Sequence, residues 1–280
     1  MRVINASRIT DAVAKLAIEA NYYLPQDVKR ALTESQCQEQ SQLGKEILGQ
    51  LLENADIAAQ KAVPMCQDTG MAVVFVELGR GVQLEDDLEA AINAGIKKGY
   101  TEGYLRKSVV ADPLFQRKNT GDNTPAIIHI ESVVGDTLKI TLTPKGFGSE
   151  NMSAVKMLKP ADGLAGVRKF MVDTVLTAGG NPCPPIIVGM GIGGTMEKAA
   201  LLAKKALLRS IDCRNANQDY AKLEEDLLEL VNLTGVGPQG LGGTTTALAV
   251  NIEYYPTHIA GMPVAINVSC HATRHAEIVL

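Results

Sequence analysis

Three cysteines of this chain stand where a thiolate could reach a metal. Cys66 lies between Pro64 and Gly70, Cys183 in Asn181-Pro182-Cys183-Pro184-Pro185, and Cys270 in Ser269-Cys270-His271. Each falls in a turn or at a predicted strand end, where backbone approach is close. Cys37 and Cys213 sit in polar surroundings in or near helical segments and are given no role. No Cys-x-x-Cys pair marks a zinc ribbon or a ferredoxin, and a single cysteine is more often a small buried hydrophobe than a ligand. The number three still carries a meaning. Electron-transfer clusters are usually held by four cysteines, whereas three on a cubane leave one iron open to act as a Lewis acid on a hydroxyl or carboxylate.

Polar groups with matching chemistry lie along the same chain. Gln67 and Asp68 follow Cys66 directly. A carboxylate there can give or take a proton, and Asp-Thr-Gly is equally good turn chemistry. Arg106 carries the planar fork that holds a carboxylate bidentately, with a plain surface arginine as the alternative. The loop Lys145-Gly146-Phe147-Gly148-Ser149 can aim backbone N–H groups at an anion. His258 follows Pro256-Thr257, while His271 and His275 flank the last cysteine with Arg274. Each histidine is a proton shuttle or a surface residue. Gly189-Met190-Gly191-Ile192-Gly193-Gly194 satisfies the dinucleotide fingerprint, with Asp212 roughly the expected ~20 residues on. The strand ahead of it begins with Pro184-Pro185, and Leu207 to Ile211 is too short and polar for a second strand. Close helix–strand packing is the favoured reading of those glycines.

These groups need a scaffold. The first third reads helical: Ser7 as a cap before Ile9, Val13, Leu16 and Ile18, a short helix from Pro25, then an amphipathic run from Leu43 to Ile57 ending near Val63-Pro64. Met71 to Leu78 reads as a buried strand, Glu85 to Tyr104 as a helix, and Pro125 to Thr143 as a β-hairpin turning at Gly135-Asp136. Helices follow at about Gly163 to Ala178, from Thr195 to about Arg209, and through Leu223, Leu227, Leu230 and Leu233. Strands are expected at Ile186 to Val188, Thr245 to Tyr254 and Val264 to Val268. The class is mixed α/β, a mixed sheet with packed helices, read as one domain over residues 1–280 with a helical subregion over 1–63.

Composition narrows the function. The chain has 280 residues, a net charge of −4, five cysteines and no tryptophan. Interspersed charge without a basic patch excludes a nucleic-acid partner, and few aromatics argue against base stacking. No segment approaches the ~20 apolar residues of a membrane span, and the N-terminus lacks a signal pattern, so the chain reads as cytoplasmic.

Taken together, Pro64-Met65-Cys66-Gln67-Asp68-Thr69-Gly70, Lys145 to Asn151, Asn181 to Pro185, Gly189 to Glu197 and Gly237-Pro238-Gln239-Gly240-Leu241 resemble the class I fumarase and L(+)-tartrate dehydratase family, in that family's order and over nearly the whole chain. The resemblance implies a hydro-lyase with a [4Fe–4S] cluster held by Cys66, Cys183 and Cys270, its fourth iron open. It implies Asp68 as the acid–base carboxylate and Gln67, Arg106, Gly148 and His258 as substrate contacts. It also implies an α subunit that works with a separate β subunit, as α2β2, the β chain supplying the base for the Cα proton. The Lys145 to Asn151 loop looks more like the fumarase branch, so fumarate–malate interconversion is expected, with tartrate dehydration as the alternative. A nicotinamide dehydrogenase and a non-catalytic iron–sulfur protein are weaker alternatives.

Overall fold

The computed structural model describes residues 2–280, which fall into two compact units. The first comprises the chain up to Leu24, Asn54–Phe147 and Arg274–Leu280; the second comprises Pro25–Glu53 and Gly148–Thr273. In chain order the elements are β1 (Arg2–Ile4), α1 (Ala6–Tyr22), α2 (Gln26–Gln38), α3 (Gln42–Lys61), β2 (Met71–Gly79), β3 (Val82–Leu84), α4 (Leu88–Glu102), β4 (Ile127–Val133) and β5 (Leu138–Lys145). There follow α5 (Phe147–Glu150), β6 (Ala154–Leu158), α6 (Gly163–Ala178), β7 (Ile186–Gly193), α7 (Met196–Ala206), α8 (Gln218–Asn232), β8 (Ala247–Tyr255), β9 (Met262–Ser269) and β10 (Ala276–Val279). The class is the mixed α/β expected from the sequence. No helix among the described residues is long and apolar enough to cross a membrane.

The first unit builds a four-stranded sheet in the order β10-β5-β2-β4, with α1 and α4 packed together. The cap of α1 is Asn5, whose side chain accepts from the Arg8 N–H at 3.1 Å; Ser7 instead donates to Asn5 Oδ1 at 3.0 Å. The expected Pro125–Thr143 hairpin does not pair with itself. β2 lies between its two arms, parallel to β4 and antiparallel to β5. β2 is the strand buried on both faces, so its apolar run needs a neighbour on each edge. The turn between β4 and β5 wraps the end of β2: Gly79 N–H donates to Thr137 O and Gly81 N–H to Gly135 O, at 2.9 and 2.8 Å. Ile92, Ile96, Tyr100, Leu138, Ile140 and Leu142 are buried in this unit's core.

The second unit builds a sheet in the order β6-β9-β7-β8, with β7 parallel to β8 and antiparallel to β9. Ile186, Val188, Met190 and Ile192 of β7 share a core with α6 and α8. The alternate positions Gly189 and Gly191 face α7, where an added Cβ would sit 2.0 Å from the carbonyl oxygens of Ala203 and Ala199. The glycines thus admit a helix against the sheet, the close helix–strand packing expected of them. One buried acid braces this unit from α2. Glu39, just beyond that helix, is 1% exposed. Its carboxylate accepts from the N–H groups of Gln40, Ser41, Thr244 and Thr245, each at 2.8–2.9 Å at closest.

Candidate functional site

The Cys66 to Gly70 segment is held in the first unit mainly by hydrogen bonds between side chains and backbone atoms. Met65 is buried; its N–H donates to Asn21 O at 3.1 Å, and its C=O accepts from Asn54 Nδ2 at 2.8 Å. That anchor leaves Cys66 and Gln67 exposed. Beyond them the buried Thr69 donates its hydroxyl to Arg106 O at 3.0 Å. Tyr100 donates its phenol to Thr69 O and Gly70 O at 2.7 and 3.2 Å. The fully buried Asn123 donates to Gly70 O at 3.1 Å and accepts from Ser108 N–H at 2.7 Å. Gly70 lies at φ 72, and a Cβ there would meet Lys145 N at 2.7 Å, so no other residue fits.

Asp68 sits at the centre of this frame. Its Oδ1 accepts from Gly70 N–H at 3.0 Å and its Oδ2 from Phe147 N–H at 2.8 Å. The Lys145 to Ser149 loop thus aims the Phe147 N–H at an internal carboxylate. Each oxygen keeps a further lone pair for a hydroxyl proton. Arg274 Nη2 donates to Asp68 O at 2.7 Å, and Arg274 is 5% exposed. Burial pushes the Tyr100 phenol up; the Arg274 guanidinium pulls it back and Asp68 adds to the rise. Arg106 is exposed, joined to the frame through its carbonyl, and its guanidinium makes no ion pair among the described residues. Asp68 and Arg106 are thus brought to one loop cluster with Cys66 and Gln67.

In the second unit Cys183 and Cys270 come to one end of the sheet, ahead of β7 and after β9, which pair as Ile187 with Ser269. Cys183 is exposed and Cys270 half-buried. Gly148 is exposed beside the same turn, with room for a Cβ 3.5 Å from Asn181 O. His258 is elsewhere. It follows β8, where Thr257 donates to Gly194 O at 2.8 Å beyond the far end of β7. Seven strand steps separate that end from Ile186, roughly 23 Å at strand rise. The second unit therefore does not bring His258 to its two cysteines.

The donor set suits an iron–sulfur cluster by its chemistry: three soft thiols, each on a turn and each open to solvent in part. Among the described residues no group of three or more His, Cys, Asp or Glu converges as the ligands of a single ion do. Cluster thiolates do not converge in that way, since each bonds a different iron. The supporting polar residues Tyr100 and Asn123 escaped the sequence reading of the site, while Arg274 entered it only as a neighbour of Cys270 and Gln239 only within the Gly237 to Leu241 segment. Of the two that escaped, Asn123 left a local signal, in Gly121-Asp122-Asn123-Thr124, where it adopts φ 64.

Comparison with known proteins identifies the family. The chain is 46% identical over 275 residues to a Methanocaldococcus jannaschii protein named "Putative L(+)-tartrate dehydratase subunit alpha", covering 96% of each. It is 32% identical over 276 residues to the "L(+)-tartrate dehydratase subunit alpha" of Escherichia coli K12, covering 98% of this chain and 91% of that one. The sequence profile described as fumarate hydratase (Fumerase) matches residues 10–279, a span that holds every cysteine, Asp68 and Arg106. With its motif segments, its fold and this match in agreement, the chain belongs to the fumarate hydratase (Fumerase) family.

Proposed function

We propose that this chain is the α subunit of a class I fumarate hydratase, which adds water reversibly to fumarate to give L-malate, working with a separate β subunit in an α2β2 assembly. The hydro-lyase class follows from the family. The observation that carries the proposed acid–base role is the Asp68 carboxylate, two residues after Cys66, both oxygens oriented by backbone N–H groups; the preference for fumarate rests on the Lys145 to Asn151 loop resembling the fumarase branch. Cys66, Cys183 and Cys270 would hold a [4Fe–4S] cluster. When bound, its open iron supplies a Lewis acid that makes a hydroxyl a better leaving group. Asp68 gives or takes the hydroxyl proton, its own N–H contacts fixing which lone pairs face the substrate. Arg106 binds a substrate carboxylate through its fork, and Gln67 and the Gly148 backbone add polar contacts. His258 enters the proposal through the resemblance alone. The base for the Cα proton comes from the β subunit. A cluster with an open iron needs a reducing compartment, which the cytoplasm supplies.

The names of the relatives favour a second reading, dehydration of L(+)-tartrate. Tartrate carries one hydroxyl more than malate, and a site built to bond that hydroxyl rejects the substrate without it by up to about 10⁴–10⁵. Anaerobic co-expression with a β subunit, iron assay and kcat/KM for malate against tartrate test both readings. Preference for tartrate by ten-fold or more overturns the fumarase assignment, and turnover of neither overturns the hydro-lyase mechanism with these residues.

A further inference from the structure

Three segments of the second unit meet where its two cysteines lie: the turn from Gly180 to Pro185, the turn from Gly237 to Leu241, and residues 269–273. Cys183 lies at φ 56, in the left-handed region, where a residue with a side chain stays only if its surroundings impose it. Its N–H donates to Gly180 O at 3.0 Å. Its carbonyl accepts from His271 N–H at 3.3 Å and lies 3.1 Å from His271 Nδ1, so the ring proton sits on Nδ1. The next carbonyl, that of Pro184, takes two bonds from one residue: Gln239 N–H and Gln239 Nε2, both at 2.8 Å. Gln239 is itself at φ 53, and its Nε2 lies 3.4 Å from His271 Nδ1. A Cβ on Gly240 would fall 2.5 Å from Gly180 Cα, so the two turns are in direct contact. Glu39 fixes the far side of the same loop through Thr244 and Thr245.

We propose that Gln239 is a positioning residue that holds the Cys183 and Cys270 turns in register before any iron is bound. Its side chain donates to the carbonyl after Cys183, and His271, the residue after Cys270, donates to the Cys183 carbonyl itself, so the turn that Gln239 fixes is the one the Cys270 segment clasps. The inference rests on the reading of these cysteines as cluster ligands, and its test separates the two. Hydrogen exchange at the His271 amide is measured in the full-length, metal-free chain for the parent, Gln239→Met, which keeps the length and loses the donor, and Gln239→Lys, which restores a donor. Loss of one hydrogen bond predicts exchange about five-fold faster in Gln239→Met, with Gln239→Lys within about two-fold of the parent. After anaerobic reconstitution with iron and sulfide, mild oxidation is followed by electron paramagnetic resonance. Gln239→Met is expected to form the [3Fe–4S] signal several-fold faster than the parent, and Gln239→Lys at the parent rate, with one thermal midpoint for all three. Parent-like exchange in Gln239→Met overturns the proposal. So does an equal loss in both variants together with a lowered midpoint. If the parent, reconstituted in complex with its β subunit, takes up no iron, the cluster reading falls, and the exchange result alone decides whether Gln239 holds the turns.

Discussion

Glu39→Gln tests the bracing of the glycine loop that carries Gln239. Burial alone would push the Glu39 carboxyl up, but donors on Ser41, Thr244 and Thr245 outweigh it and bring it from 4.5 down to about 2. A shift of that size corresponds to about 3 kcal/mol of folding stability at neutral pH, at 1.36 kcal/mol per unit. Because the folded value lies below the unfolded one, the stability is fully present above pH 4.5 and drains away as pH falls toward about 2. The amide can serve the donors at Oε1, but its NH2 would face the Thr245 N–H, a donor against a donor at 2.8 Å. Urea unfolding of the metal-free chain at several pH values reads the effect. Glu39→Gln should unfold about 3 kcal/mol more easily at pH 7, and the gap should shrink to less than half by about pH 3. A gap under about 0.5 kcal/mol at pH 7, or one equal at both pH values, refutes the reasoning.

Further outcomes follow from the same contacts. Gly70→Ala should cost at least about 2 kcal/mol in urea unfolding, since it meets both an unfavourable φ and the Lys145 backbone. Tyr100→Phe leaves the buried Thr69 and Gly70 carbonyls short of a donor and should cost about 1–3 kcal/mol by the same measurement. Phe147→Pro removes the N–H that holds Asp68 Oδ2 at the first position of α5, where proline is tolerated, so kcat should fall about 10²-fold with near-parent far-ultraviolet dichroism. Alanine at Cys66, Cys183 or Cys270 should abolish iron binding, while Cys37→Ala and Cys213→Ala should leave iron content at the parent level.

What the sequence disclosed was mostly local. Period-two alternation marked β4 and β5, yet the partner of each is β2, some fifty residues or more away, and no local pattern encodes that insertion. Asn5 rather than Ser7 caps α1 because the two compete for the same role and only the helix start decides between them. The glycines at 189 and 191 were legible as packing because strand parity puts them on one face. For the site, the loop-borne residues were named from their types, whereas Tyr100, Asn123 and Arg274 act through buried contacts. A buried polar residue looks like a surface one until the chain is folded around it.

The sheet order of the first unit also sets a timetable. Its edge strand β10 pairs with β5, and Leu280 and Leu138 exchange both of their backbone bonds, at 3.1 and 2.8 Å. During synthesis that edge therefore stays open until the whole second unit has been made, Cys183 and Cys270 turns included. An exposed strand edge invites pairing with other chains. The nascent chain thus keeps the β5 edge open to wrong pairing until β10 emerges and covers it.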